Sequence, residues 1–242
     1  MAALVSTVNT PSPAHDPNPS LPALHSVFSA LPDLFTIKAR LTPPVIQLIL
    51  GPIRHLFFAH NLNDKCGLCL LHRHFSLDAT ERLVEHGPCS MPLTIGQTET
   101  FVALGPGGLG FVKPRSYRFV GAAAVPFEFA YTPHPAESSF SEEELTFFGA
   151  LSELLHEHNL QDVFGLRDLE GHNPAQPLEM TQGRANVLVD QGSMGAERMI
   201  PALEVFRKER ETNTESCGNG LHAQCVERYY GSTSGCTSHT LR

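Results

Sequence analysis

The chain has 242 residues, of which 41% are hydrophobic and 17% are charged, enough to bury a core as one large domain or two small ones. Its formal net charge of −8 argues against a nucleic-acid partner, because phosphate binding needs a clustered basic face. No apolar run approaches the roughly 20 residues of a membrane-spanning helix, so no membrane partner is expected either.

Residues 1–22 predict a disordered arm, because their proline-rich composition cannot bury apolar surface. The following residues 23–211 predict a single domain, and residues 212–242 predict a tail that contains cysteine and histidine. The N-terminus lacks the basic start and apolar core of a secretory signal. We therefore expect a soluble cytoplasmic protein with reduced cysteines.

Helices are predicted at both ends of the domain and in its centre. The apolar spacing of residues 24–41 favours a helix that Pro32 must break. Thr42 predicts the start of a second helix, which the Gly51-Pro52 pair kinks and which ends near Asn61.

The second half of the chain begins with a further helix. A capping box at Ser141 and Glu144 predicts its start, and residues 197–211 predict a final amphipathic helix. Strands are predicted over residues 66–75, 81–86, 98–104, 110–113, 117–120, 127–131, 163–169 and 185–190. These elements predict an α+β fold, with a mixed or antiparallel sheet and flanking helices.

An internal repeat is the main organising feature of the sequence. Residues His60–Glu81 align without a gap to His158–Glu179, 98 residues further on, and nine of the 22 positions are identical. With the helix before each copy, the repeat predicts two internally related halves, residues 43–90 and 141–190. It indicates either a repeated packing solution or two halves that meet at a shared site, and both interpretations stay open.

The repeat contains the strongest chemical pattern in the chain. His72 and His74 are two residues apart on a predicted strand, so both imidazoles face one side, a spacing that suits chelation of one ion. Glu81 could complete a three-ligand site for zinc or iron, and the matching His172 and Glu179 are expected opposite as ligands or acid–base groups. The alternative is a hydrogen-bonded histidine pair without chemistry.

Two resemblances accompany these residues. The segment from Gly67 to Gly87 resembles the first metal-binding motif of the cupins, which implies a metal site, although the interval from His74 to Glu81 is longer than in that motif. The combination of residues 67–75, 127–129 and 183–186 looks similar to a group of uncharacterised fungal proteins, a resemblance that implies no particular activity.

Further ligand contacts are expected beside this pattern. Arg184 and Asn186 share one face of a predicted strand, and Arg73 lies between the two histidines; an arginine is well suited to a carboxylate ligand. Glu128, between two phenylalanines, indicates either a buried carboxyl with a raised pKa or an exposed side chain on an edge strand.

The leading interpretation is an enzyme or small-molecule-binding protein with a His/Glu site between two related halves. The alternative is a non-catalytic interaction protein whose tail is stabilised by zinc. The candidate ligands of that structural zinc are Cys217, His222, Cys225, Cys236 and His239.

Overall fold

The structure is a computed structural model that describes residues 20–94, 101–103, 109–133, 140–170, 178–189, 200–206 and 221–226. Over these ranges the chain folds as a mixed sheet accompanied by a few helices. The predicted α+β class with a mixed sheet is therefore confirmed.

The boundaries of the helices agree with the prolines and capping residues in the sequence. They are α1 (Leu21–Ser29), α2 (Leu34–Lys38), α3 (Pro43–Leu48), a π-helical turn (Ile49–Ile53), α4 (Arg54–Ala59) and α5 (Glu142–Glu157). Pro32 separates α1 from α2, Pro52 lies inside the π-helical turn, and the capping box of Ser141 and Glu144 is present. Within the described ranges no helix has the length and apolar character to cross a membrane.

The strands form one sheet. They are β1 (Cys66–Leu70), β2 (Glu81–His86), β3 (Cys89–Thr94), β4 (Phe101–Ala103), β5 (Leu109–Val120), β6 (Ala123–Thr132), β7 (Phe164–Asp168), β8 (Leu178–Gln182), β9 (Ala185–Val189), β10 (Ile200–Glu204) and β11 (Leu221–Val226). Their order is β4-β5-β6-β2-β3-β9-β8-β11-β10-β1-β7, and β5 also pairs with β7. The β2–β6 and β8–β11 pairs are parallel. Because the β5–β7 pairing joins the two sides of this order, the sheet curls round on itself.

Several predicted elements differ from the structure. The separate strands predicted over residues 110–113 and 117–120 form the single strand β5. The strand predicted over residues 66–75 ends at Leu70, whose partner Phe164 is the first residue of β7; after one more hydrogen bond to Val163, the backbone turns to Pro32 instead. The helix predicted over residues 197–211 is wrong at residues 200–204, which form β10. That segment pairs with β1 on one side and β11 on the other, so sheet hydrogen bonds override its helical periodicity.

The β1–β7 pair separates two packed cores. On one face Leu68 and Leu166 lie in a cluster with Phe57 of α4 and Leu155 of α5. On the other face Cys69 and Leu71 pack in a cluster that includes Phe28 of α1. Burying one large aliphatic side chain in such a core contributes about 1.5–3 kcal/mol, so this layered packing holds helices on both sides of the strand pair.

Both helices that precede these strands end in the same turn. Asn61 after α4 and Asn159 after α5 have φ angles of 54° and 55°, a left-handed conformation that asparagine tolerates better than most residues. The next residue in each copy donates its backbone N–H back to the helix, Leu62 to Phe57 and Leu160 to Leu155. The repeated asparagines therefore terminate the helices and direct the chain into β1 and β7.

Gly165 is expected to be sensitive to substitution because the backbone of β5 lies against it. A Cβ at this position would overlap the carbonyl group of Tyr117 and would lie 2.8 Å from a methyl group of Leu71. We expect Gly165→Ala to reduce the free energy of unfolding by about 1–3 kcal/mol, measured by urea denaturation.

Gly149 provides the matched control. It lies inside α5 with no atom within 4 Å of an added Cβ, so Gly149→Ala should stabilise the protein by about 0.5–1 kcal/mol. Equal effects of the two substitutions would contradict the close β5–β7 approach.

Candidate metal centre and its polar surroundings

The candidate site begins where the chain leaves β1. The N–H of Leu71 donates to the carbonyl oxygen of Val163 at 2.8 Å, and the N–H of Arg73 donates to that of Pro32 at 2.9 Å. His72 lies between these two hydrogen-bonded residues and His74 follows them. The two imidazole rings meet edge to face, with their centroids 4.6 Å apart. Backbone hydrogen bonds outside the sheet ladder, rather than strand alternation, therefore bring the two imidazoles together.

A carboxylate from the other half of the chain completes the group. Nε2 of His74 lies 3.0 Å from Nε2 of His72 and 3.0 Å from Oε1 of Glu179, which is on β8. The three candidate ligand atoms all lie within 4.8 Å of one another. The side chain of His74 is only 3% exposed and that of Glu179 is 20% exposed, so bulk water has limited access to the group.

The hydrogen bond on the far side of His72 determines its tautomer. Nδ1 of His72 lies 2.8 Å from the carbonyl oxygen of Leu70, which can only accept, so Nδ1 carries the hydrogen. Burial, and then the nearby charge of His74, lower the pKa of His72 to about 4, so the ring is neutral at pH 7. Its Nε2 therefore presents a lone pair to His74.

Glu179 is ionised over the whole physiological range. Burial opposes ionisation, but the hydrogen bond and charge of His74, followed by the charges of His72 and Arg167, outweigh it and lower the pKa of Glu179 to about 2. The group therefore combines a neutral imidazole lone pair, a second imidazole and a carboxylate.

A row of polar residues lies on the same face of the sheet as Glu179. Cross-strand neighbours share a face, and residues two apart on one strand do as well, so the pairings place eight polar side chains together. This polar row consists of Arg167, Ser116, Glu128, Glu85, Ser90, Asn186, Thr181 and Glu179. It crosses β7, β5, β6, β2, β3, β9 and β8 in that order.

Arg167 is the centre of the charged part of the polar row. Its guanidinium donates to Glu128 at 2.8 Å, to the Ser116 hydroxyl at 3.1 Å and also to Glu85. Arg115 pairs with Glu85 at 3.3 Å from the other side. These bonds satisfy both carboxylates with charge-assisted hydrogen bonds, which is the condition for keeping such charges away from water.

The pKa of Glu128 is shifted in the opposite direction to that of Glu179. Burial raises the pKa of Glu128, and the opposing charge of Arg167 does not cancel the effect, while the charge of Glu179 adds to it. Of the two interpretations that the sequence left open, the structure agrees better with the first, because the Glu128 side chain is only 23% exposed and its strand is paired on both sides. Two carboxyl groups on one sheet face thus have pKa values displaced in opposite directions.

The structure separates Glu81 from the histidines. The Glu81 carboxylate instead accepts hydrogen bonds from Arg184, one of them at 3.1 Å, at the start of β2. Glu179, rather than Glu81, provides the carboxylate in the three-atom group.

The three expected ligand contacts have different surroundings. Arg184 is held by Glu81, while Asn186 is buried and accepts from the Thr181 hydroxyl at 3.0 Å within the polar row. Arg73 forms an isolated backbone bridge with Asp33.

Several other predicted residues lie outside the described residues. These are His172, Cys217, Cys236 and His239. His222 and Cys225 are positions on β11, so residues 221–226 of the predicted tail belong to the sheet. The zinc interpretation of the tail stays a prediction.

Sequence reasoning missed Glu85, Ser116 and Arg167. Each lies in a predicted strand or beside one, but the contacts of Arg167 with Glu85 and Ser116 join strands that are distant in sequence. The available signal was a charged residue at a position whose strand neighbours are buried, as with Arg167 after Leu166.

Removing Arg167 should be strongly destabilising. We expect Arg167→Met to lower the free energy of unfolding by about 2–4 kcal/mol, because the half-buried Glu128 would lose its charged partner and Glu85 would keep only Arg115. Urea denaturation measures this loss. In the matched control Arg184→Met, the arginine that is removed is 48% exposed, against 17% for Arg167, and it pairs with one carboxylate rather than two, so a smaller loss is expected; losses of similar size would contradict the prediction.

Lowering the pH should reduce the stability of the metal-free protein because of the lowered pKa of His72. The folded pKa of about 4 is below the ordinary value of 6.5, so only the unfolded state binds this proton as the pH falls between them. The contribution of His72 to the free energy of unfolding is therefore fully present above pH 6.5 and is lost towards pH 4. Its size is about 1.4 kcal/mol for each unit of pKa difference.

The measurement is the free energy of unfolding against pH, with a chelator present. A His72→Gln variant should show a flatter curve between pH 6.5 and 4, and parallel curves would contradict the prediction. The comparison with this variant cancels the opposing effect of Glu204, whose pKa burial raises to about 7.

Comparisons with protein-family models, with curated proteins and with solved structures found no match to the chain. The resemblances to the cupin motif and to the fungal proteins stay predictions. An assignment of function depends on the geometry of the three-atom group and the polar row.

Proposed function

We propose that the chain is a metal-dependent enzyme for a small molecule, with one divalent cation bound by His72, His74 and Glu179. The cation would lie at the end of the polar row, where Glu128 and Arg167 are available to a bound substrate. The site would lie between two related halves of the chain.

The convergence of three ligand atoms in a shielded position carries this proposal. Nε2 of His74 lies 3.0 Å from Nε2 of His72 and 3.0 Å from Oε1 of Glu179, and the three atoms all lie within 4.8 Å of one another. The hydrogen on Nδ1 of His72 leaves the lone pair of this ring on Nε2, and Glu179 is ionised, so the group presents atoms of the kind that bind metal ions. One divalent cation could bind all three atoms at once.

The separations also fit metal coordination. With bonds of about 2.1 Å, neighbouring ligands are about 3.0 Å apart around a six-coordinate ion and about 3.4 Å apart around a tetrahedral one. Both separations from His74 Nε2 are 3.0 Å, close to the spacing of neighbouring ligands around one ion. Two histidines and one carboxylate leave positions open for water and substrate.

The polar row supplies the groups that such an ion would need for catalysis. A bound cation would acidify a water ligand, and a carboxyl with a raised pKa, such as Glu128, is a candidate proton donor or acceptor. Arg167 stabilises negative charge on the same face. This combination supports acid–base chemistry on a polar small molecule.

The strand pairing supports two related halves. The central β1–β7 pair joins Leu68 to Leu166, and β3 pairs with β9 as Cys89 with Val187, so residues 98 apart lie opposite each other in both places. The helices before β1 and β7 end at residues with the same separation, Ala59 and Glu157. Such pairing is typical of duplicated units arranged about a two-fold axis, and it would make the site a product of both copies.

Metal binding tests the proposal directly. We expect the purified protein to bind one Co²⁺ or Fe²⁺ per chain, and His72→Ala or Glu179→Gln to weaken that binding at least tenfold, by isothermal titration calorimetry. Glu81→Gln is the matched control, because its carboxylate is held by Arg184 and should leave metal binding unchanged. Weak visible absorption of the Co²⁺ form would indicate six coordination.

Two results would reject the proposal. One is the absence of stoichiometric binding in the wild-type protein, and the other is equal loss in the Glu81 and Glu179 variants. A metal ion retained in the His72 variant but lost in a Cys217→Ser/Cys236→Ser variant would support the structural zinc of an interaction protein instead.

A further inference from the structure

A cavity of about 380 Å³ lies on the helix-covered face of the β1–β7 pair, away from the metal centre. Its size is within the roughly 300–1,000 Å³ range of small-molecule sites. None of its lining residues belongs to the three-atom group or to the polar row.

The inner wall of the cavity is apolar and aromatic. Phe140 packs edge-on against Tyr117, with ring centroids 5.5 Å apart, and against Phe148, with centroids 4.7 Å apart. Leu62 and Leu166 complete this wall. Such a surface suits an aromatic or branched aliphatic group, and ring faces also attract cations.

The rim of the cavity is predominantly acidic. Four carboxylates line it, from Asp64, Glu144, Asp168 and Glu170, against the single cation Lys65. Lys113 pairs with Asp168 and Glu170 from outside the lining, and Lys65 lies 3.9 Å from Glu144. Even with both lysines counted, the negative charges outnumber the positive ones, so the field at the opening favours a cation.

The repeat provides an internal example of a cation at the matching carboxylate. Asp162, which corresponds to Asp64, is contacted by the guanidinium of Arg40 at 3.4 Å, and the same guanidinium donates to the carbonyl oxygen of Asn159 at 2.6 Å. Asn61 and Asn159 share one backbone conformation, so both copies present the turn in the same way. In the first copy Asp64 lines the cavity instead.

We propose that this cavity binds an organic cation, a protonated amine or guanidinium attached to an aromatic or branched apolar group. The apolar part would contact Tyr117, Phe140 and Phe148, and the charged end would lie at Asp64, as Arg40 lies at Asp162. The site is independent of the proposed metal centre.

The thiol in the cavity wall is consistent with reversible binding. Burial, followed by the charges of Asp168 and Glu144, raises the pKa of Cys66 to about 12, so the thiol stays protonated and unreactive at neutral pH. Its sulfur lies 3.5 Å from the carbonyl oxygen of Leu62, to which it donates.

Three probes of similar size test the proposal with the full-length protein. Protonated 2-phenylethylamine, 2-phenylethanol and 3-phenylpropionate share an aromatic ring and differ in charge. We expect the amine to bind in the millimolar range, at least threefold more tightly than the alcohol, and the carboxylate to bind most weakly, by chemical-shift titration. Binding of the amine should weaken as salt is added.

Variants of the repeat locate the charged end. Asp64→Asn should weaken amine binding about threefold to tenfold, while the matched control Asp162→Asn should leave it unchanged because its carboxylate is already held by Arg40. Phe140→Ala should weaken binding of both the amine and the alcohol. Any of three results would overturn the proposal. They are no binding of the amine at concentrations tenfold above the expected millimolar range, equal affinities for the amine and the carboxylate, and an unchanged amine affinity in Asp64→Asn.

Discussion

The antiparallel pairing of β1 with β7 is the contact on which the rest of the structure depends. Five residue pairs join the two strands, and Gly67 and Gly165 allow neighbouring groups to approach more closely than any side chain would permit. One face of the pair packs under α4 and α5. The other face carries Arg167 and leads, where β1 ends, to the two histidines. A single ladder therefore positions a hydrophobic core, a charged cluster and a candidate metal site.

The charges on the inner face are costly to bury, and their arrangement offsets that cost. Arg167 is shared by Glu85 and Glu128, and Arg115 adds a second cation to Glu85, so each carboxylate has a charged partner. Replacing such a cluster with apolar residues is often neutral or stabilising in proteins, so stability alone does not explain it. The same groups shift the pKa values of Glu128 and Glu179 in opposite directions, which is useful for chemistry that needs both an acid and an ionised ligand.

The candidate metal ligands come from segments that are distant in sequence. His72 and His74 follow β1, whereas Glu179 is on β8, which pairs with β9 and β11. The group therefore exists only when the sheet has curled far enough to bring β8 towards the end of β1. This dependence means that a ligand bound there stabilises the whole curled sheet as well as the site.

Local chemistry in the sequence determined the helices, their caps and most strand positions. Proline breaks, the capping box at Ser141 and the repeated asparagine turns act over a few residues, so they can be read without a fold. The histidine pair was also visible, because its spacing is local. The partner carboxylate, the end of β1 at Leu70 and the conversion of residues 200–204 into a strand were decided by tertiary pairing. Glu81 and Glu179 occupy equivalent positions of the repeat, and only the path of the sheet decides which one meets His74, because hydrogen-bond registry between distant strands is set by the whole fold.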